Sequence, residues 1–206
     1  IYRFCVRHGI RMVPYIGRTH SSSGGVHGFA MNALFHLGTL RWFRRGPAIS
    51  KIEEVRQELL QLGVKEVKVA QVGLDFSVMK SDFAAYDRAA LRREFGLLPD
   101  DMVICTVGRM GPEKNPLDLV EIYQQVREQK PCKLLLVGEG VQSEDLKTKI
   151  AASKWKSDIV LIDRIPNDQI WKVYAAADYF VNLCRTEIFG MAILEAMYYG
   201  VSVAAL

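Results

Sequence analysis

The 206-residue sequence predicts an α/β protein built on parallel sheet, and three observations carry that expectation. Residues 179–183 read as a buried strand, a Gly190-containing turn opens an apolar helix, Gly200 stops it, and residues 201–206 read as the next strand. Strand, loop, helix, strand is the βαβ unit of a parallel sheet, whose ligands sit at the carboxyl ends of the strands. Residues 102–107 are a second strand-like run. They enter a Gly/Pro loop, 108–116, and then a helix with apolar Leu117, Leu119, Val120, Ile122, Tyr123 and Val126. Strands and helices alternate from there to the end.

The earlier elements follow from local signals. Residues 2–8 read as helix, 9–16 as a turn and a strand, and 18–25 as a loop at its end. Residues 32–45 are mostly helical, and 47–50 form a short strand whose last residue, Ser50, is placed to cap a helix over 51–62 that ends at Gly63. Residues 67–72 are a strand leading to a hinge at Gly73-Leu74-Asp75, and 86–95 a helix ended by Gly96. No repeat or low-complexity run interrupts this order.

Half of the residues are apolar, yet no apolar run approaches the ~18–20 residues that span a bilayer. The four cysteines, Cys5, Cys105, Cys132 and Cys184, lack CxxC spacing. Cys105 and Cys184 fall in or at the end of strands and read as small buried apolar residues, which fits a reducing compartment. Charge is lopsided: residues 1–76 hold 11 Lys and Arg against 5 Asp and Glu, whereas 77–206 hold 16 against 18. In the basic part, residues 35–45 mix aromatic, aliphatic and cationic side chains. They suit either a core-facing helix with a solvated basic edge, the preferred assignment, or contact with an anionic membrane. No DNA or RNA motif accompanies the charge, so nucleic acid is not an expected partner.

Two constellations carry chemistry. Glu187 and Glu195 bracket the turn and first turns of the helix after 179–183. Helix-start amides, from Phe189 through Gly190 and Met191 to Ala192, would stand unpaired and face an anion. Carboxylates on either side suit a phosphate flanked by hydroxyl-rich rings, Glu187 accepting from a sugar and Glu195 from a ribose diol. The alternative is a first-turn glutamate favoured by the helix dipole beside a solvated one. In the loop after 102–107, Arg109 and Lys114 suit a diphosphate, Arg as a planar fork and Lys as a point charge, or else are surface cations in a turn. Gly138-Glu139-Gly140 lacks the third glycine of a dinucleotide fingerprint, Ser143 standing there, and is not one. His27 and His36 match no metal-ligand spacing.

From about Ala70 to the end, the chain resembles the C-terminal domain of the retaining GT-B glycosyltransferases of family four, the glycosyl transferases of group 1. The matching pieces are Val72-Gly-Leu-Asp75, Val107-Gly-Arg109 with Lys114, Leu136-Val-Gly-Glu-Gly140, Ile165-Pro-Asn-Asp-Gln-Ile170 and the Glu187-x7-Glu195 stretch, in the family's order and spacing. The resemblance implies a GT-B, Rossmann-like doubly wound fold. Residues 1–73 would be the C-terminal part of the N-terminal, acceptor-side domain and 74–206 the donor-binding domain, so that the chain is an internal fragment.

It also implies transfer of a sugar from a nucleoside diphosphate sugar to an acceptor hydroxyl with retention, in polysaccharide, lipopolysaccharide or glycolipid synthesis, without metal or cofactor. Arg109 and Lys114 would bind the diphosphate, Glu187 the donor sugar and Glu195 the ribose. Gly108, Gly138, Phe189, Gly190, Met191 and Ala192 would complete the donor surface, and backbone near Arg164 and Ile165 would meet the base. His20, in Arg18-Thr19-His20, resembles a family histidine that contacts the donor sugar; a hydrogen-bonded loop histidine is the alternative. The implied partners are a nucleotide sugar and a glycan or lipid-linked acceptor. The implied location is the cytoplasm, at the inner face of the cell membrane if residues 35–45 meet lipid. Departures from the family pattern are Cys184 for a usual Ser, Ile188 for Gly, Asn115 for a frequent Gly and Ser202 for a frequent Pro. An epimerase of the same fold and a non-catalytic nucleotide-binding module remain alternatives.

Overall fold

The computed structural model describes residues 13–16, 29, 32, 33, 46–70, 73–76, 79, 80, 82 and 85–206. The chain divides into two compact units, Ile1–Gly73 and Leu74–Leu206. The expected helix at 2–8 and loop at 18–25, with His20, lie outside the described residues, as do residues 35–45.

In the first unit, β1 (Tyr15–Ile16), β2 (Pro47–Ser50) and β3 (Glu66–Val69) form a parallel sheet in the order β1-β2-β3. Helix α1 (Glu53–Gln61) crosses from β2 to β3 and buries Val55 and Leu59 on one face. These pack with Ile16, Ala48, Val64 and Val67 into a small core. The cap assignment at Ser50 is corrected. Ser50 is fully buried as the last residue of β2, and α1 starts at Glu53 after Ile52, with no side-chain cap bond. Pairing of Ser50 with Val69 holds the residue in the sheet. Glu53 and Glu54 in the first turn complement the helix dipole in place of a cap.

The second unit is one five-stranded parallel sheet, β6-β5-β4-β7-β8, made of β4 (Val103–Val107), β5 (Lys133–Val137), β6 (Ile159–Ile162), β7 (Tyr179–Asn182) and β8 (Ser202–Ala205). Helices α2 (Arg88–Glu94), α3 (Pro116–Gln129), α4 (Ser143–Ala152), α5 (Trp171–Ala176) and α6 (Met191–Tyr198) cover it. The chain steps outward from β4 to β5 and β6, then returns to the other side of β4 for β7 and β8. Strand order therefore reverses between β4 and β7, which pair in parallel through Ile104–Tyr179 and Cys105–Phe180.

The central strands are apolar on both faces, and alternate residues feed two cores. Leu135 and Val137 pack with Val103, Cys105, Phe180, Trp171 and Tyr174, while Leu134 and Leu136 pack with Leu119, Val120, Tyr123 and Leu146. This is the doubly wound α/β arrangement the sequence predicts. Helix α2 begins at Arg88 rather than at residue 86, because the Asp87 carboxylate accepts from the amides of Ala89 and Ala90 at 2.9 and 3.1 Å and caps it. Cys105, Cys132 and Cys184 are buried and free. Among the described residues no helix is long and apolar enough to cross a membrane.

At the amino ends of the strands, Arg92 is buried and spans three acceptors. It donates to the carbonyls of Ala176 and Pro99 and to Asp178 Oδ2, which also accepts from the Val103 amide at 2.8 Å. Asp158 sits between Lys133 and Arg127 at 2.6 and 2.8 Å. Burial pushes the Asp158 carboxyl up, but these two cations outweigh it and hold it below the ordinary aspartate value.

Candidate functional site

The reversal of strand order between β4 and β7 leaves a crevice at their carboxyl ends, the place where open α/β sheets bind ligands. The loops that wall it carry the residues singled out by sequence. After β4 come Gly108, Arg109, Met110 and Gly111, a single 3-10 turn at Pro112–Lys114, and Asn115. Asn115 stands in the left-handed region, φ 49° and ψ 48°, directly before Pro116 opens α3. A residue before proline is disfavoured in the right-handed helical region, and Asn tolerates the left-handed one best after glycine. Its side-chain amide also donates to the Leu183 carbonyl at 2.8 Å, tying the β4 loop to the β7 loop. This accounts for Asn where a glycine is frequent.

On the other wall, the Lys114 ammonium forms an ion pair with Glu187 Oε2. Both side chains reach solvent, 27 % and 28 % exposed. Asn182, buried at the end of β7, donates to the same oxygen at 3.3 Å and accepts from the Cys184 amide at 3.0 Å. Burial raises the Glu187 carboxyl, but Lys114, then Asn182 and the Gly190 amide, outweigh it and hold it below the ordinary glutamate value. Gly108, Arg109, Lys114, Asn182 and Ala192 line a cleft between the two loops over Phe180. Arg109 is 83 % exposed and meets only Glu113, at 3.4 Å, among the described residues.

Gly190 caps α6 in the left-handed region, φ 66°, and the first helical bond runs from the Leu194 amide to its carbonyl at 3.0 Å. The amides of Met191, Ala192 and Ile193 thus lack a helical acceptor. Among the amides expected to stand free, those of Met191 and Ala192 open the helix, and Gly190 stands before them as its left-handed cap. Phe189 precedes the helix. Glu195 lies further along α6, half-buried, and accepts from the Tyr174 hydroxyl at 2.7 Å.

Gly138, φ 139°, follows β5 and is backbone support for the Arg109 loop. A Cβ there would stand 1.8 Å from the Gly108 carbonyl oxygen, and one on Gly140 would stand 2.5 Å from that of Met110. Hydrogen bonds from Gly108 to Val137 and from Met110 to Glu139, 3.0 and 3.1 Å, lace the two loops together. Arg164 and Ile165 lie past the carboxyl end of the edge strand β6. Arg164 is exposed, whereas the Ile165 side chain packs against the core. Among the described residues no group of three His, Cys, Asp or Glu side chains is placed to hold a metal ion.

Asn182, Tyr174 and Asn115 escape a reading by residue type. Asn182 gives the clearest signal, a polar side chain closing an otherwise apolar strand. Tyr174 in an amphipathic helix looks like any core aromatic.

Residues 87–206 match the family of glycosyl transferases, group 1. A D-inositol 3-phosphate glycosyltransferase of Segniliparus rotundus is 32 % identical over 146 residues, 68 % of this chain and 32 % of that protein. An alpha-monoglucosyldiacylglycerol synthase of Streptococcus pneumoniae is 24 % identical over 203 residues, 94 % of this chain and 46 % of that one. Among solved structures, the fold is similar to that of Anabaena HepE in complex with UDP and glucose, with a TM-score of 0.76 at 18 % identity, over 98 % of this chain and 54 % of that chain. The chain therefore spans between a third and about half of the length of these relatives.

Proposed function

The chain belongs to the glycosyl transferases group 1 family, and on that premise we propose that it carries the donor site of a retaining glycosyltransferase acting on a nucleoside diphosphate sugar. The observation that supports this best is the Lys114–Glu187 pair across the β4/β7 crevice, with Arg109 exposed beside it. A cation and a carboxylate held side by side suit a ligand that is anionic at one end and hydroxylated at the other.

In the proposed reaction the bond from the sugar's anomeric carbon to the diphosphate breaks, and the electron pair leaves with the phosphate. The acceptor oxygen bonds to the same face of that carbon, and its proton passes to the departing phosphate oxygen. Arg109, Lys114 and the amides of Met191 and Ala192 stabilise the charge that builds there, which is where preorganised donors contribute most. These two cations neutralise the leaving group in the role a divalent metal plays elsewhere, so that the proposed reaction requires neither metal nor cofactor. Glu187 orients the donor sugar and Glu195 the ribose.

The acceptor class we favour is a glycan or lipid-linked hydroxyl, in cytoplasmic synthesis of polysaccharide or glycolipid. Residues 35–45 are the segment that would meet an anionic membrane. The relatives named for an inositol phosphate and for a glucosyldiacylglycerol support a polar or lipid acceptor.

The test compares Arg109→Ala with the parent for binding of UDP, GDP and ADP and of the corresponding nucleosides. A charge-assisted contact is worth about 1.5–3 kcal/mol, so the diphosphates should lose about tenfold or more while the nucleosides change little. Equal losses for both would overturn the assignment. Product analysis on the full-length protein then separates transfer (a glycosylated acceptor) from epimerisation (an altered donor) and from binding alone.

A further inference from the structure

Glu195 is the second carboxylate of the site, and its partner is a residue with no place in the proposed chemistry. The Tyr174 hydroxyl donates to Glu195 Oε2 at 2.7 Å, the length of a charge-assisted O–H···O contact. Tyr174 is fully buried. Its ring stacks on Tyr199 at 5.7 Å between centroids, with planes 11° apart, and packs on Phe180 at 6.0 Å. Burial first, then the charge and hydrogen bond of Glu195, push the phenol far up, so it stays a proton donor.

A free glutamate on a half-exposed helix face samples many rotamers, and a ligand that needs one of them must bear the ordering entropy. Tyr174 is itself immobilised by the core, so it can hold Glu195 in one rotamer before any ligand arrives. It occupies Oε2 and leaves Oε1 with no partner among the described residues.

We propose that Tyr174 is a positioning residue for nucleoside recognition: it anchors one oxygen of Glu195 so that the other is presented to the vicinal hydroxyls of a ribose. This rests on the assignment of Glu195 to the ribose under the proposed function. That family role says nothing of what orients the carboxylate, and the Tyr174 contact supplies it.

The experiment measures, on the same preparations, binding of whichever of UDP, GDP and ADP the parent holds most tightly and of its 2′,3′-dideoxy analogue. The variants are Tyr174→Phe, Glu195→Gln, the double variant and Tyr199→Phe. The parent should prefer the ribose form, and Glu195→Gln should erase that preference. Tyr174→Phe should cut the preference by about three- to tenfold, within the range expected for the net loss of one ordinary hydrogen bond, because Glu195 keeps its charge and loses only its anchor. In the Glu195→Gln background Tyr174→Phe should have no further effect on it. Tyr199→Phe perturbs the same stacked core by removing a hydroxyl that accepts from the Lys80 amide, not one bonded to the Glu195 carboxylate, and should keep the preference.

The readout is a ratio of two ligands on one variant, so a partial loss of folded protein does not move it. If Glu195→Gln erases the preference and Tyr174→Phe leaves it whole, or if Tyr199→Phe cuts it equally, the positioning role falls and the ribose assignment stands. If the parent shows no preference, binds none of the three diphosphates, or keeps its preference in Glu195→Gln, the ribose assignment falls and the positioning role with it.

Discussion

Glu187→Gln should tighten the binding of a free nucleoside diphosphate and slow transfer from the sugar donor. If Glu187 met the sugar alone, nucleotide affinity would be nearly unchanged; its ion pair with Lys114 alters that expectation. Lys114 is paired with a carboxylate, so an arriving diphosphate must share the ammonium and accept a negative neighbour. Two unit charges 4 Å apart interact by about 4 kcal/mol at an effective dielectric of ~20 and by about 1 kcal/mol in water. With side chains 27 % and 28 % exposed, the pair lies toward the screened end. Removing the competing charge should therefore be worth about 1 kcal/mol, or about fivefold in affinity. Gln keeps a carbonyl that can accept from the Asn182 side-chain amide, so the turn should hold its shape. Titration calorimetry with UDP, GDP and ADP at low and high salt reads the effect, which should shrink as salt rises. Lys114→Met should weaken the same ligands. In that background Glu187→Gln should give a larger gain, because an unpaired carboxylate repels the diphosphate more. Weaker binding in Glu187→Gln, by as much as in Lys114→Met, would refute the competition between ligand and carboxylate.

Three further outcomes follow from the packing. Gly138→Ala puts a Cβ 1.8 Å from the Gly108 oxygen at φ 139°, so it should lower the denaturation midpoint and weaken diphosphate binding together; parental values in both would show that the two loops can part freely. Arg92→Met removes a buried guanidinium from Asp178 and from the Ala176 and Pro99 carbonyls, and should cost about 3 kcal/mol in urea unfolding of the second unit; a loss under about 1 kcal/mol would mean water replaces it. For Asp158 the folded carboxyl is depressed, so its stabilisation is present above the unfolded value of about 3.9 and is lost as pH falls through the lower folded value. The stability gap between the parent and Asp158→Asn should accordingly be full near neutrality and close only below about pH 4; a gap independent of pH would place the effect in packing instead.

Much of the fold is legible because its signals are local. Lys133–Val137 and Val103–Val107 are short, mostly apolar runs of the kind buried on both faces, and they become two of the three inner strands. Glycines mark helix ends at Gly63, Gly96 and Gly200, all at positive φ. Boundaries slip where two local devices compete. Ser50 has the chemistry of a cap but is held by pairing in β2, and Asp87 takes the cap that a purely apolar pattern assigns two residues earlier. In the site, the charged residues are visible as charges in Gly/Pro loops after strands. Their partners are not, because no periodicity links Lys114 to Glu187, 73 residues on, or Asn115 to Leu183, 68 residues on.

The glycines after β5 show most sharply where local reading ends. Gly138-Glu139-Gly140 fails as a phosphate-binding fingerprint, and by residue type it would then be an ordinary turn. Its function is in the backbone: only a residue without Cβ lets the Gly108 carbonyl approach so closely, and the Gly108–Val137 and Met110–Glu139 bonds fix the result. The conformation that presents Arg109 is thus set by a strand end about thirty residues downstream, and that of Lys114 by Asn115 reaching across to the β7 loop. Each cation is placed by a contact with the backbone of a neighbouring loop. A substitution that changes only these supports, leaving Arg109, Lys114, Glu187 and Glu195 intact, should therefore alter ligand binding without touching the ligand, as Gly138→Ala is expected to do.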